Sequence, residues 1–138
     1  MDFVYRFPVV KGLQAGRAYF IGMVPLRMIS RLFPSDEEYV PPEYRAQRKL
    51  NAARIPVISK YIIQNRQDYV FSALAASIDG TFKFIPSEIA SDVGVLEVSM
   101  DARFQINDGQ HRKAAIIEAL AEDETLADET ISVVFFEA

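Results

Sequence analysis

The 138 residues contain no cysteine, which excludes disulfides, thiol nucleophiles and cysteine-ligated metals together. A single histidine, His111, is too few for a histidine-based zinc site. No apolar stretch approaches the roughly 20 residues that a membrane helix needs. The start, Met1-Asp2-Phe3, has neither a basic n-region nor a long apolar run, so no signal peptide is read and a cytoplasmic location is expected. A Walker-type Gly-Lys-Ser/Thr loop is missing as well. What remains is half apolar and 12% aromatic, enough for one hydrophobic core but not two, so a single globular domain is expected.

Net charge is −4, but the two halves differ sharply. Residues 1–67 carry 11 basic and five acidic side chains, or +6, and residues 68–138 carry four and 14, or −10. A net-negative chain can hold a polyanion only through a local basic patch, with affinity that falls steeply with salt. The plainer reading is that these charges are ordinary solvated helix faces.

Residues 3–10 are rich in β-formers and Arg17 to Leu26 is a second such run, so a hairpin is expected around Gly12 and Gly16. Met28 to Phe33 has helical spacing that stops at Pro34, and a polar, proline-containing loop follows to Pro42. A helix is expected from Pro42 to about Arg54, with Arg45, Arg48 and Lys49 on one face. Ile55-Pro56 reads as a helix break. After it, Val57, Ile58, Tyr61 and Ile62 form an apolar stripe expected in the core, with Lys60 opposite. Val70 to Ile78 reads as a strand closed by Asp79-Gly80, a hairpin signal with Thr81 to Ile85 returning. Two further strands, Val95 to Met100 and Arg103 to Ile106, lead to a helix from Gly109 to about Ala121. Its buried face is expected to hold Ala114, Ile117, Leu120 and Ala121. The acidic run to Glu129 reads as a linker, and Ile131 to Phe136 as a last strand close to the end of the chain. Such an ending is typical of a sequence cut from a longer protein.

The most informative stretch is Asn107-Asp108-Gly109-Gln110-His111-Arg112, a strand that turns at a glycine into a helix. The first N–H groups of a helix lack intrahelical acceptors and lie at the positive end of its dipole, so they can hold a phosphate or carboxylate. Gly109 lets the backbone approach closely, while Arg112 adds a donor fork and His111 a second donor. Asp108 is repulsive beside an anion unless it caps the helix or holds a cation. The competing reading is a solvated first turn with Asp108 as a cap.

The stretch Asp108 to Arg112 resembles the signature of the DGQHR-domain family. Val24-Pro25-Leu26, Pro41-Pro42-Glu43, Arg45-Ala46-Gln47-Arg48, Arg54-Ile55-Pro56 and Asp68 to Leu74 resemble, in order, landmarks of its DNA sulfur modification branch. The resemblance implies an α+β fold of the ParB and sulfiredoxin type, a mixed sheet with helices in which the strand-to-helix turn cradles phosphate. Asp108, Gly109, Gln110, His111 and Arg112 would then bind nucleotide or phosphate. Gln110 stands where the sulfiredoxin branch has cysteine, which rules out thiol redox chemistry. The implied role is a DNA-binding repressor of phosphorothioate modification genes, with Arg45, Arg48, Lys49, Arg54 and Lys60 on double-stranded DNA and a homo-oligomer as one source of selectivity. The alternative is a ParB-like NTPase of a phosphorothioate or 7-deazaguanine system, using ATP or CTP with Mg²⁺, with Asp108 and His111 as catalytic candidates. No metal site in the protein itself is expected.

Overall fold

The computed structural model describes residues 3–34 and 53–138. Seven strands form one mixed sheet: β1 (Val4–Gln14), β2 (Arg17–Pro25), β3 (Leu74–Asp79), β4 (Phe82–Pro86), β5 (Val93–Ser99), β6 (Arg103–Asp108) and β7 (Thr130–Glu137). Their order is β4-β5-β1-β2-β7-β3-β6, antiparallel except for the parallel pair β3–β7. Three α-helices are described: α1 (Ile29–Leu32), α2 (Arg54–Gln64) and α3 (Gln110–Glu122). Short 3-10 turns at Leu26–Met28 and Glu124–Asp128 complete the set.

The expected hairpin of the first two strands is present, with Gln14 opposite Arg17 and a tight turn through Ala15 and Gly16, both at positive φ. β1 runs on through Gly12, where a Cβ would meet the Tyr19 ring at 2.7 Å. On the inner face, strand alternation places Phe7, Val9, Phe20, Val24, Leu96, Val98, Val133 and Phe135 in the core.

That face is strongly concave. Phe7 on β1 and Phe104 on β6 are four strands apart in the order, which in a flat sheet would separate them by about 19 Å. Their ring centroids lie 6.5 Å apart. Phe20 on β2 likewise meets Phe84 on β4 at 5.4 Å. The helices close the open side of this curl, burying Ile29, Leu32, Ile62, Ile116 and Ala119 against it.

Asp79-Gly80 is a corner, not the hairpin turn that the dipeptide suggested. β3 pairs with β7 and β6, whereas β4 pairs with β5 at the far end of the sheet order. Asp79 is opposite Arg103, Phe82 is opposite Val98, and the Ser99 N–H donates to the Thr81 carbonyl at 2.9 Å. The segments 74–86 and 93–108 therefore form one long antiparallel ribbon, bent where Gly80 passes Ala102. One half of this ribbon pairs with β1 and the other with β7. A local turn signal cannot distinguish a reversal from a bend, because partners distant in sequence decide it.

Several finer expectations are corrected. Pro56 sits within the first turn of α2, where its missing N–H costs no helical hydrogen bond, so Ile55-Pro56 does not break the helix. The buried residues of α2 are Ser59 and Ile62, while Val57 and Tyr61 of the expected core stripe are exposed. On α3 the buried residues are Ala115, Ile116 and Ala119, and Ala121 is exposed, a rotation of about one position from the expected face. The acidic run is no linker: it forms the Glu124–Asp128 turn and buries Leu126 completely. The helix expected from Pro42, with Arg45, Arg48 and Lys49, lies outside the described residues except for its last two positions, Ala53 and Arg54.

Candidate nucleic-acid interface

β6 ends at Asp108 and α3 starts at Gln110, with Gly109 between them at φ 104°, in the left-handed region that favours glycine. A Cβ there would fall 2.5 Å from Leu74 Cδ2 and 2.9 Å from an Arg112 terminal nitrogen. Gly109 is therefore required twice, by its dihedral angle and by the space it leaves.

No side chain caps this helix, so Asp108 does not serve as the N-cap. Its carboxylate is exposed and stands 3.7 Å from Arg112 Nη2. At that distance and exposure the pair contributes little. Arg112 turns back toward the sheet and donates from Nη2 to the Ala73 carbonyl at 3.0 Å. Its Nε is buried without a hydrogen-bond partner. The guanidinium thus holds the loop before β3 against the first turn of α3 while keeping unused donors. His111 is half-buried beside it, and Gln110 and Lys113, three positions apart, face the other flank of the turn.

The ends of α2 and α3 are set by a polar cluster that carries no local sequence signal. Arg66, two residues beyond α2, donates to Asp123 at 2.9 Å, to Glu129 at 3.0 Å and to Thr125 at 3.1 Å. Tyr69 donates to the other oxygen of Glu129. Since Asp123 immediately follows α3 and the two helices pack together, their carboxyl ends lie side by side and their amino ends point the same way. Arg54 thus lies toward the end that carries His111, Arg112 and Lys113. Both Arg54 and Lys60 are exposed. Of the residues expected on DNA, these two fall within the described structure, and Arg45, Arg48 and Lys49 lie outside it.

The cluster also sets a pH dependence. Hydrogen bonds from Thr125 and then Arg66 lower the Asp123 pKa, and those from Tyr69 and then Arg66 lower that of Glu129. Burial, then the bond to Glu129, pushes the Tyr69 phenol up to about 12. A carboxylate whose folded pKa is depressed stabilises the fold above its unfolded value, and that stability is lost as pH falls through the folded value. A phenol whose folded pKa is raised stabilises below its unfolded value and loses that contribution as pH rises. The urea midpoint is therefore expected to hold level near neutrality, to fall below the ordinary carboxylate range of about 4 and to fall again above about 10. Arg66→Ala should lower the plateau and flatten the acid limb; an unchanged acid limb would show that the cluster does not control it.

The charge along α3 is the reverse of what a helix dipole favours. His111, Arg112 and Lys113 occupy the first turn with no acid among them, and the last turn has Glu122 and no base. Cations at the positive end cost the helix stability unless an anion joins them. No Asp or Glu occurs from Arg54 to Gln67 either. Among the described residues, no group of three His, Asp or Glu side chains is placed to hold a metal ion. No helix among them is long and apolar enough to cross a membrane.

Residues 7–138 match the family model described as DndB, DNA-sulfur modification-associated. The chain belongs to the DndB family. The matched span takes in the motif turn, α2, α3 and all but the first residues of the sheet, so this DndB-family chain carries the family pattern through every element described above. Among curated proteins and among solved structures, none matches the chain. Membership links it to DNA sulfur modification.

Proposed function

We propose that this DndB-family chain is a DNA-binding transcriptional regulator that represses a phosphorothioate modification gene cluster. It would hold duplex phosphates at the end shared by the amino termini of α2 and α3. The observation that carries the reading is the reversed charge of α3. A first turn of His111, Arg112 and Lys113, with no capping side chain, is poorly suited to an isolated helix and well suited to one that meets an anion. Arg54 and Lys60 extend the cationic surface along α2, and family membership supports DNA as the polyanion. Phosphate contacts fix position without reading sequence, so selectivity between promoters is assigned to two copies pairing on the DNA.

The alternative, a ParB-like NTPase at the same turn, has less support. Phosphoryl transfer needs a bound cation and a group that orients water, and Asp108 is a single exposed carboxylate already near Arg112. The test is the double variant Arg54→Ala, Lys60→Ala in titrations against a duplex from its own promoter. Each phosphate contact contributes a slope of about −0.9 in log affinity against log salt, so losing two should reduce the slope by about 2 and weaken binding several-fold at moderate salt. Unchanged affinity and slope would remove α2 from the DNA surface.

A further inference from the structure

The outer face of the sheet, away from the helices, is apolar across its middle strands. Val93 on β5, Val10 on β1, Ile21 on β2 and Val134 on β7 stand side by side in one row. Ile85, Val95 and Pro8 form the next, with Met23 on the same face of β2. Val10 is 50% and Met23 55% exposed, where a solvated sheet face ordinarily carries polar side chains. We propose that this face is the contact between two copies of the chain, packed back to back with their strands antiparallel. The contact does not involve DNA, and the helices lie on the other side of the sheet, so the motif turn of each copy stays open.

Charge selects a second copy as the partner. The rows themselves carry no charged side chain, and Arg17 lies beyond them at the tip of the β1–β2 hairpin. At one end of the patch, Lys83 and Arg6 flank Glu97, to which Arg6 donates at 2.8 Å, leaving a balance of +1. At the other end, the loop between β4 and β5 carries Glu88 and Asp92, or −2. A two-fold axis lying in the contact and perpendicular to the strands sets each positive end on the partner's negative end. An axis along the strands would set like on like. The face is therefore complementary to itself in one orientation.

Shape agrees with this pairing. Because the sheet curls away from it, the face is convex across the strands. The middle strand β1 contributes the small residues Pro8, Val10 and Gly12, and the flanks contribute longer ones, Ile85 on one side and Met23 and Tyr19 on the other. Longer side chains at the flanks fill the gap that convexity opens. Ile89, 98% exposed at the tip of the β4–β5 loop, extends the apolar flank. Its turn is fixed, with the Ala90 N–H donating to Ser87 Oγ at 3.1 Å and the Ser87 N–H to the Val93 carbonyl at 2.8 Å.

The area is sufficient for a dimer of modest affinity. Strand spacing and rise give about 400 Å² of apolar face per copy, and the charged ends bring the total buried by two copies to about 1,200 Å², the lower limit of stable interfaces. A dissociation constant on the order of 10 μM is expected.

Sedimentation equilibrium of the whole chain without DNA, from about 1 to 500 μM, tests the proposal apart from the promoter titration, so either reading can fail alone. A reversible dimer should form. Val10→Lys should abolish it, and Met23→Ser, which adds no charge, should weaken it several-fold. Both sites are exposed, so the thermal midpoint of a dilute sample should stay in place. Lys83→Glu and the pair Glu88→Lys, Asp92→Lys should each weaken association about tenfold, because each charge acts twice across a two-fold axis. Combining all three should restore it. A chain that stays monomeric over the whole range leaves this face to another partner and overturns the proposal. So does a dimer that Val10→Lys and Met23→Ser leave intact, and so does a folded triple variant that fails to recover association.

Discussion

Gly109→Ala is expected to destabilise the protein by about 3 kcal/mol. At φ 104° an alanine adopts a conformation that costs roughly 1–2 kcal/mol. Its Cβ would then press on Leu74 Cδ2 at 2.5 Å, and Leu74 is completely buried in the sheet between β7 and β6. Overpacking at such a site adds about 1–3 kcal/mol. For a chain of this size the thermal midpoint should fall by about 10 °C. Gly16→Ala is the control: φ there is 74°, but nothing lies within 4 Å of the added carbon, so only the dihedral cost of about 1 kcal/mol applies. The difference isolates the steric part. If both variants lose the same stability, Leu74 does not constrain the motif turn. Because Arg112 is the second neighbour of that Cβ, the substitution should also displace its guanidinium from Ala73 and weaken DNA binding in proportion.

The second large effect is expected at the ribbon's corner. In Gly80→Ala the new Cβ would lie 2.6 Å from Ala102 Cβ and 2.7 Å from its Cα, and the latter is backbone that cannot rotate away. With φ at 147°, the dihedral cost and the clash add, again to about 3 kcal/mol. This variant differs from Gly109→Ala in where the damage travels. Opening the corner pulls β6 away from the curl and separates Phe104 from Phe7 and Phe135, which it meets at 6.5 and 5.9 Å. The aromatic near-ultraviolet circular dichroism signal should therefore weaken even in the folded protein. A loss of stability with an intact aromatic spectrum would show that the corner matters only locally.

Some elements of this fold are legible in the sequence and others are not, for physical reasons. Strands with one buried face announce themselves by alternation, which is why β2, β5 and β7 are legible close to their true limits, whereas β1 runs four residues past the expected end at Val10. The Gly109 turn was legible because an Asp-Gly pair separates a period-2 pattern from a helical one. Asp79-Gly80 carries the same local signal, yet its outcome depends on β7 and β1, strands distant in sequence. Leu126 is buried without any sequence signal, because a lone apolar residue among acids has no period. The buried face of α3 lies about one position from the expected one because alanine and isoleucine occur on nearly all sides of that helix, so its apolar direction is weakly defined. The inward turn of Arg112 toward Ala73 had no sequence signal, and neither did the Arg66 cluster, whose members lie 57 to 63 positions apart.

The inward Arg112 and the uncapped start of α3 alter the meaning of the motif. Asp108 to Arg112 is partly a structural latch, with Gly109 and Arg112 holding the segment before β3, and partly an uncapped helix start that presents His111 and Lys113. Both roles need the same left-handed glycine. In the function proposed, the cationic first turn that weakens α3 as an isolated helix is the feature that meets phosphate.

The most direct measurement of that central claim is the affinity of the chain for a fluorescently labelled promoter duplex, followed by anisotropy from roughly 50 to 300 mM salt. With Arg54, Lys60 and Lys113 on phosphates, log affinity should fall linearly with log salt with a slope of about −3. Absence of binding at the lowest salt, or an affinity that salt does not change, would contradict the account.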